Sequence, residues 1–358
     1  MNEKKVWFYL VIYLVTSFAF TQNRNTWFKN DNNLYGACPD KNGPIGGGVG
    51  YLNIITDGDY VVMDLESLII GLSMAKSGEV VFIPDEIIID LTSLIYIEKL
   101  VLEISSGVTL AGNRGYEGSK GALICSDALS TPVLIRAIGS NVRITGLRIQ
   151  GPNGKRYLDH HNRAYGDNGK GKNYYYEFPV SRGIQTEYSN LEVDNCDISS
   201  FSHAGINLVN GNGHHIHHNS IHHCQFNGLG YGINQDKSSS IIEHNIFNFN
   251  RHSIAGTGRI GCSYIARHNI IEDVSRGHCF DMHGGVDRGD GTNTAGSEIR
   301  IYNNTFFSKK LSIAIRGVPN HKSEIFNNWF IEHQNREQAI RAIEKSGMKN
   351  NFYGLFKF

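Results

Sequence analysis

The sequence predicts an all-β fold, a right-handed parallel β-helix that forms a solenoid with about 24 residues per coil. The first observation is an asparagine that returns in one local context at spacings of 24, 26, 24, 35 and 24 residues. These asparagines are Asn195, Asn219, Asn245, Asn269, Asn304 and Asn328. The second observation is that each unit contains short, alternating β-branched or aromatic runs separated by Gly, Asn, Asp and Ser. Because stacked coils lie ~4.8 Å apart, inward asparagines are expected to form a hydrogen-bonded ladder.

The N-terminus predicts an exported protein. Two lysines precede an apolar stretch from Val6 to Phe20, and Ala19-Phe20-Thr21 follows the order of a signal-peptide cleavage site. We therefore expect residues 1–21 to be a cleaved signal peptide and the mature chain to be secreted or periplasmic. An uncleaved membrane anchor is the alternative.

The rest of the chain is predicted to be one domain with covered ends. Residues 22–60 are rich in Gly and Asn and are expected to form an irregular lead-in. Residues 61–335 are expected to form the β-helix, and residues 336–358 a C-terminal cap, since the end units of solenoids must be covered. At the start of the predicted β-helix, the segment 64–76 has helical spacing and is expected to cap the N-terminal end of the solenoid.

Two further segments carry a resemblance to a known family. The predicted helix is followed by GEVVFIP at 78–84 and by SGVTLAGNRG at 106–115. This order resembles the entry to the β-helix of the pectate-lyase-like superfamily, and with the asparagine repeat the resemblance covers residues 60–335. Members of that superfamily mostly act on polysaccharides, many of them as lyases, hydrolases or epimerases on uronic-acid chains. The resemblance therefore implies a polysaccharide-active protein, although a fold alone does not fix a function.

Composition narrows the classes of partner. Lys and Arg total 34, as do Asp and Glu, so bulk charge attracts neither nucleic acid nor a membrane, and an acidic ligand would need a local basic groove. Six cysteines in a chain of this length do not form a disulfide framework. Cys262 with Cys279, and Cys196 with Cys224, are candidate pairs, but burial as small apolar residues is the favoured interpretation. We expect a monomer.

Two insertions, 151–180 and 284–297, interrupt the repeat and are expected to flank both edges of one sheet. Counting eleven and thirteen residues from each repeat asparagine predicts inward side chains, and counting twelve and fourteen predicts outward ones. The inward set is Ile206, Leu208, Phe280, Met282, Ile315 and Gly317. The outward set is Asn207, Tyr231, Thr257, Arg259, Asp281, His283 and Arg316, with Gln185 and Glu187 one coil earlier. In the coil that starts at Asn219, Tyr231 and Asn234 are alternative occupants.

The outward residues suit β-elimination at a uronate. Arg259 and Arg316 are predicted to bind the substrate carboxylate, since a guanidinium binds a carboxylate through two hydrogen bonds. His283, oriented by Asp281, is the predicted base. Tyr231 is the predicted acid, with His252 and His278 as alternates. Arg276 is expected to neighbour His252 at a corner, either in the site or bonded to buried carbonyls.

A second set of residues is predicted to bind the substrate. These residues are Gln185, Asn207, Asn234, Lys237, Arg288 and Tyr175. For Tyr174-Tyr175-Tyr176 two interpretations stand equally: the rings stack on sugars, or they pack the insertion against the solenoid.

No metal site is predicted, and no cofactor is required by the sequence. The histidine run 214–223 places only two outward imidazoles on a strand, so a histidine-rich surface is the favoured interpretation. The segment 287–293 admits Ca²⁺ but lacks the regular acidic spacing of a calcium loop.

Hydrolysis would need two carboxylates across the scissile bond, and the predicted groove offers Asp281 and the distant Glu187. The paired aspartates of polygalacturonase-like β-helices and the W-x-D-H signature of calcium pectate lyases are both absent, so no catalytic residue is carried over from either group. The predicted function is a lyase that cleaves an acidic, uronate-containing polysaccharide. A carbohydrate-binding protein, a glycoside hydrolase and a uronate epimerase remain the alternatives.

Overall fold

The fold is the predicted right-handed parallel β-helix. The structure, a computed structural model, describes residues 24–85, 87–342 and 347–356. The predicted signal peptide, residues 1–21, lies outside the described residues. The chain passes repeatedly through three sheets in the same order, and each strand pairs in parallel with the strands one coil before and after it. In the described part of the chain, no helix is long and apolar enough to cross a membrane.

The three sheets are named here in the order in which the chain visits them. The strands of sheet 1 are Tyr60–Val61, Val80–Phe82, Thr109–Ala111, Arg143–Thr145, Glu192–Asp194, His214–His217, Ser239–Glu243, Ser263–Arg267, Glu298–Tyr302, Lys322–Phe326 and Gly347–Lys349. The strands of sheet 2 are Ile88–Asp90, Leu123–Cys125, Arg148–Gln150, Asp197–Ser199, Ser220–His222, Ile246–Asn248, Ile270–Ile271, Thr305–Phe306, Trp329–Phe330 and Phe352–Tyr353. The strands of sheet 3 are Leu102–Ile104, Ile135–Ala137, Arg182–Thr186, Ala204–Leu208, Tyr231–Gln235, His252–Gly256, Phe280–Met282, Ile313–Ile315 and Ile340–Arg341.

The corner between sheets 1 and 2 explains the asparagine repeat. Its first residue has a left-handed backbone, as at His218, His244 and His268, each with a φ of 53° or 54°. Asn, Asp and His are the non-glycine residues enriched in this conformation, which accounts for His218 in the histidine run and for His244 and His268 in the following coils. Its second residue points inward. Asn219 Nδ2 donates to Asn245 Oδ1 at 3.0 Å, and this bond recurs along the buried ladder.

The predicted ladder is therefore confirmed, except at its first member. Asn195 has the left-handed backbone, with a φ of 53°, and it aligns with His218. Cys196 occupies the ladder position, and its backbone N–H donates to Asn219 Oδ1 at 2.9 Å. The sequence count started one residue early in this coil, because asparagine suits both corner positions.

The core fills the inside of the coil with stacked aliphatic and aromatic side chains. Of the predicted inward residues, Ile206, Leu208, Phe280, Met282 and Ile315 are buried at 0–1% exposure, which confirms this part of the register. All six cysteines are free, and four of them are buried, so the interpretation as small apolar residues is confirmed.

The predicted N-terminal capping helix is present. The helix α1 spans Leu65–Met74, and Leu68 and Leu72 are buried against the first coils. Asp64 begins the helix, because its side chain accepts a hydrogen bond from the Ser67 backbone N–H at 2.8 Å while the Ser67 hydroxyl lies 3.1 Å from the Asp64 N–H. A second helix, α2, spans Thr92–Glu98.

The two ends of the chain differ from the prediction. The lead-in contains a hairpin, Trp27–Asn30 with Asn33–Gly36, whose aromatic rings pack on the last coils. Phe28 contacts Trp329 and Phe352, with ring centroids 4.9 and 4.8 Å apart. At the C-terminus, residues 340–341, 347–349 and 352–353 do not leave the solenoid: they add strands to all three sheets. The short helix α6, Arg336–Ala339, is an insertion within that coil.

The two insertions lie at opposite ends of the strands of sheet 3, as predicted. The first forms helices α3, Leu158–Tyr165, and α4, Gly171–Glu177, ahead of the strand Arg182–Thr186. They pack on Phe226 and Leu229, in the corner before the strand Tyr231–Gln235. The second forms the short helix α5, Gly285–Arg288, directly after the strand Phe280–Met282. Together they flank the outer face of sheet 3.

Candidate active site

One row of outward side chains runs across the coils of sheet 3. The paired positions in this row are Gln185, Asn207, Asn234, Ala255, Asp281 and Ala314. Asn207 Nδ2 donates to Gln185 Oε1 at 2.8 Å, and Asn234 Nδ2 donates to Asn207 Oδ1 at 2.7 Å. Asn234, not Tyr231, is the partner of Asn207, which resolves the alternative left open by the sequence. The two alanines beside Asp281 keep the space around its carboxylate free of larger side chains.

Asp281 is the centre of the cluster. Its side chain is fully buried, and Arg316 donates to both of its oxygens, from Nε at 3.0 Å and from Nη2 at 2.7 Å. His278 Nε2 lies 3.2 Å from Oδ1, and His283 Nε2 lies 2.9 Å from Oδ2. Burial alone would raise the pKa of this carboxyl, but the close contacts from His278 and His283 outweigh it and hold the pKa of Asp281 well below its ordinary value. Asp281 is therefore an ionised, acceptor-only group.

The predicted pairing of Asp281 with His283 is confirmed as a contact. The contact places Nε2 at the carboxylate, and a ring that carries its hydrogen on Nε2 has its lone pair on Nδ1. Nδ1 has no hydrogen-bond partner among the described residues, and the His283 side chain is 27% exposed. This is the arrangement that a general base requires: an oriented ring with its basic nitrogen open to the groove.

The predicted arginine clamp is wrong in this structure. Arg316 is held by Asp281 and also by Asp287, whose Oδ1 lies 2.7 Å from Nη1, so its charge is already matched by two carboxylates. Arg259 is 54% exposed and pairs with Asp236 at 2.6 Å, and Asp236 also accepts a hydrogen bond from Thr257 at 2.5 Å. The sequence count placed these arginines on the correct face but could not show that each has an acidic neighbour.

A different set of arginines is free of acidic partners. Arg251 and Arg276 lie in adjacent coils at the corner before sheet 3, and their charges act on Arg156, which comes from the first insertion. Their hydrogen bonds go to neutral oxygens only: Asn227 Oδ1 at 3.4 Å, Leu229 O at 3.4 Å and Gln225 Oε1 at 3.2 Å, respectively. Burial and then repulsion from Arg276 and Arg251 lower the pKa of Arg156. Three close cations without a carboxylate among the described residues form a site suited to an anion.

Sequence reasoning missed this group as a unit. Arg251 and Arg276 were visible within the R-H and R-G-H segments at 251–252 and 276–278, but Arg156 is far away in the chain. The register predicted for Arg276 was also wrong by one residue. Asn250 pairs with Ser275, so Arg276 lies beside Arg251, while His252 packs against Gly277 and His278.

Tyr231 and His252 lie next to this arginine group. The Tyr231 ring stacks on the His252 ring with centroids 5.8 Å apart, and the Arg251 guanidinium lies 5.9 Å from the centroid of the Tyr231 ring. Burial raises the pKa of Tyr231, so its hydroxyl is protonated, as the predicted acid requires. Burial holds the pKa of His252 well below its ordinary value. A neutral, buried imidazole cannot supply the proton that was predicted of His252 as an alternate acid.

The remaining predicted binding residues divide between the surface and the interior. Lys237 is exposed on a left-handed turn with a φ of 48°, at the edge of the groove. Tyr175 is buried against Phe226, so the packing interpretation is correct and the prediction of sugar stacking is wrong. Arg288 donates to the backbone oxygens of Thr257 and Thr294 at 2.9 and 3.0 Å. It therefore fastens the second insertion and is not available to a substrate.

Among the described residues, three groups of histidines and carboxylates have ligand atoms within 4.8 Å of one another. They are His252 with His278 and Asp281, Glu192 with His215 and His217, and Asp40 with His218 and His244. In the second and third groups most rings already bond to a carboxylate, as His217 does to Glu192 at 3.2 Å and His218 to Asp40 at 3.1 Å. The first group lies in the groove. In the segment predicted to admit Ca²⁺, Asp287 and Asp290 both pair with arginine at 2.7 Å, and calcium there stays a prediction.

Solved structures similar to this chain include the family 28 exopolygalacturonase of Yersinia enterocolitica. It shares 14% identity and a TM-score of 0.47, and the match covers 84% of this chain and 64% of that one. The right-handed parallel β-helix expected from the resemblance is the fold of this chain. The pectin methylesterase of Aspergillus niger, in two deglycosylated forms, matches at 8% and 10% identity with a TM-score of 0.37, over 89% of this chain and 87% and 86% of its own. No protein-family model matches the chain, and no curated protein matches it.

Proposed function

We propose that this protein binds an acidic, uronate-containing polysaccharide in the groove over sheet 3 and cleaves it by β-elimination. The observation that carries the proposal is one juxtaposition. Arg251 belongs to the arginine group that pairs with no carboxylate among the described residues, and its guanidinium lies against the Tyr231 ring, which stacks on His252. His252 in turn contacts His278, which lies 3.2 Å from the Asp281 carboxylate that also contacts His283. The groove thus combines a site for a carboxylate with an oriented base. Export by the predicted signal peptide belongs to the same proposal, since such polymers lie outside the cell.

The reaction divides among these groups. The arginines bind the uronate carboxylate and stabilise the negative charge that grows on it as the C5 proton leaves. His283 Nδ1 takes that proton, the C4–O bond breaks, and a C4–C5 double bond forms. The leaving oxygen takes a proton from an acid, and Tyr231, protonated by burial, is the residue assigned to it. The amide row Gln185, Asn207 and Asn234 extends the groove over preceding coils and binds further sugar units.

Hydrolysis is a weaker interpretation because the two neighbouring carboxylates of the groove, Asp281 and Asp287, both bind the guanidinium of Arg316 and are not free to act as acid and base. Asp281 is ionised and held by Arg316, so it does not act as a general acid. Glu187, just past the strand Arg182–Thr186, lies four coils away, which is about 19 Å at ~4.8 Å per coil. Glycosidases place their two carboxyl groups roughly 5–9.5 Å apart.

The test is the ultraviolet absorbance of an unsaturated uronate while the purified protein acts on alginate, pectate, ulvan and glycosaminoglycans. A rise on one polymer supports the lyase, and no rise on any of them contradicts it. Binding of a polymer without turnover would favour a carbohydrate-binding protein. New reducing ends without absorbance would favour a hydrolase, and a changed uronate configuration at constant chain length would favour an epimerase.

Variants assign the roles within the active polymer. His283→Gln should lower kcat by about 10²–10⁴-fold while leaving binding nearly unchanged. Arg251→Gln and Arg276→Gln should each raise KM by about 10-fold or more, since a hydrogen bond to a charged group is worth about 1.5–3 kcal/mol. The matched controls are His321→Gln, exposed and outside the groove, and Arg300→Gln, which pairs with Glu324 on sheet 1. If the controls lose as much activity as the groove variants, the assignment fails.

A further inference from the structure

Two buried imidazole nitrogens in the groove have no hydrogen-bond partner. They are His252 Nε2 and His278 Nε2. The His252 residue is 1% exposed, and burying a polar nitrogen without a partner is unfavourable unless something else satisfies it. Both nitrogens lie beside the ionised carboxylate of Asp281, and the ligand atoms of the three residues are all within 4.8 Å of one another.

The other nitrogen of His252 shows which form the ring takes. Nδ1 lies 2.5 Å from the backbone oxygen of His278, so it carries the hydrogen and donates it. Nε2 therefore carries a lone pair that has no partner among the described residues. A histidine that ligates a metal through one nitrogen usually donates the other N–H to a carbonyl or carboxylate in this way, because that bond fixes the tautomer and the ring orientation.

The contact between His278 and Asp281 also fits a pair of metal ligands. Nε2 lies 3.2 Å from Oδ1, but the two atoms are not aligned as a hydrogen bond, and Nε2 remains without a partner. Two atoms bound to one ion at about 2.0–2.2 Å are separated by about this distance when the angle between them is near a right angle. The other oxygen, Oδ2, is held by His283 at 2.9 Å and by Arg316 at 2.7 Å, which orients the carboxylate.

We propose that His252 Nε2, His278 Nε2 and Asp281 Oδ1 bind a divalent transition-metal ion of the zinc class. Two imidazoles and one carboxylate suit such an ion and leave a coordination position open for a substrate oxygen. Calcium is disfavoured at these residues, because it takes six to eight oxygen ligands and two of these three donors are nitrogens.

The role of the ion rests on the proposed function, although the ligand set does not. The ligand Asp281 contacts His283, and the ligand His252 lies beside Arg251 of the arginine group, so the ion would be near both. The open coordination position binds the uronate carboxylate, and the ion then shares with the arginines the charge that grows during elimination. This leaves His283, which is not a ligand, as the proton acceptor.

The test is calorimetric titration of the metal-free full mature protein with Zn²⁺ alone, in the absence of polysaccharide. We expect one tight equivalent, which His278→Ala removes or weakens by more than the ~10–100-fold typical of changes around a metal site. His278 is the chosen variant because its side chain is 23% exposed, so truncation leaves the fold intact, as circular dichroism would verify. His252→Ala should have the same effect, and Co²⁺ should give a visible absorption band that both variants lose.

Two control variants show which residues bind the Zn²⁺. His283→Gln keeps all three ligands but removes a contact to Asp281 Oδ2, so it should weaken binding by no more than about 10–100-fold. The double variant His215→Ala/His217→Ala removes two histidines of sheet 1 that lie outside the groove and should leave the affinity unchanged. The proposal is overturned if no tight equivalent exists, if His278→Ala and His252→Ala leave it unchanged, or if the His215/His217 variant alone removes it. Because the titration contains no polysaccharide, failure of the lyase assay leaves this result standing, and failure here leaves the acid–base proposal standing.

Discussion

Removing one amide from the middle of the asparagine ladder should destabilise the protein far more than removing the terminal one. Asn269 Nδ2 donates to Ile242 O at 2.9 Å and to Asn304 Oδ1 at 3.0 Å, while Asn269 Oδ1 accepts from the backbone N–H of Asn245 at 3.1 Å. Asn269→Ala leaves these buried groups without partners, at about 1–3 kcal/mol each. We expect a loss of about 3–6 kcal/mol in the free energy of unfolding.

The matched variant is Asn351→Ala at the C-terminal end of the same ladder. Asn351 makes equivalent bonds, to Ile325 O at 3.0 Å and from the Asn328 N–H at 3.1 Å, but it is half-buried, so water can replace them. The expected loss is about 1 kcal/mol. Urea denaturation followed by circular dichroism measures both, as a shift of the midpoint at constant slope. Equal losses for the two variants would refute the claim that buried, unreplaced hydrogen bonds hold adjacent coils together.

Two further predictions concern particular side chains. Burial lowers the pKa of His244 and of His268 to about 4 from 6.5, so the stability they contribute is present above pH 6.5 and is lost as the pH falls toward 4. We expect the free energy of unfolding to fall by about 2–4 kcal/mol between pH 7 and pH 5. The fall should be smaller in His244→Asn, which removes one titrating ring and which the corner tolerates, because Asn303 and Asn327 already occupy the same left-handed position in later coils. An undiminished pH dependence in that variant would contradict the assignment. The buried Tyr175 hydroxyl has no hydrogen-bond partner, so Tyr175→Phe should change stability by less than about 0.5 kcal/mol and leave turnover intact, whereas Tyr175→Ala should lose about 3–5 kcal/mol by creating a cavity. A loss of substrate affinity in Tyr175→Phe would restore the prediction that this ring contacts sugar.

The repeat and the face were predictable because both follow from local periodicity. A ladder asparagine in successive coils of the C-terminal half, alternating strands and two long insertions were sufficient to predict the β-helix and to choose sheet 3 as the groove. Asp281 and His283 were paired correctly because residues two apart on a strand share a face. The Asn195 error shows the limit: asparagine is favoured both at the left-handed corner position and at the ladder position, so the residue type alone cannot separate them.

The errors in the site have a different physical cause, which is the variable corner between sheets 2 and 3. The corner between sheets 1 and 2 keeps the same two positions in successive coils, so a count from the asparagine stays in register up to sheet 2. The next corner spans residues 249–251 in one coil and 272–279 in the following one. Each change in the length of this corner shifts the sheet 3 strand relative to a count from the repeat asparagine. The count therefore placed Tyr231 beside Asn207, whereas Tyr231 pairs with Ala204 and His252.

That same corner supplies the groups that give the groove its chemistry. Arg251, Arg276 and His278 all lie in it, next to residues that the regular strands hold in place. A solenoid with identical corners would present the same side chain in every coil and could only bind a repeating ligand along its length. In this protein the corner between sheets 2 and 3 varies while the corner between sheets 1 and 2 stays the same. Cations, imidazoles and a buried carboxylate therefore lie beside one another, and the asparagine ladder that stabilises the coils is not disturbed. A single reactive site is therefore expected at this variable corner, where counting from the repeat asparagine was least accurate.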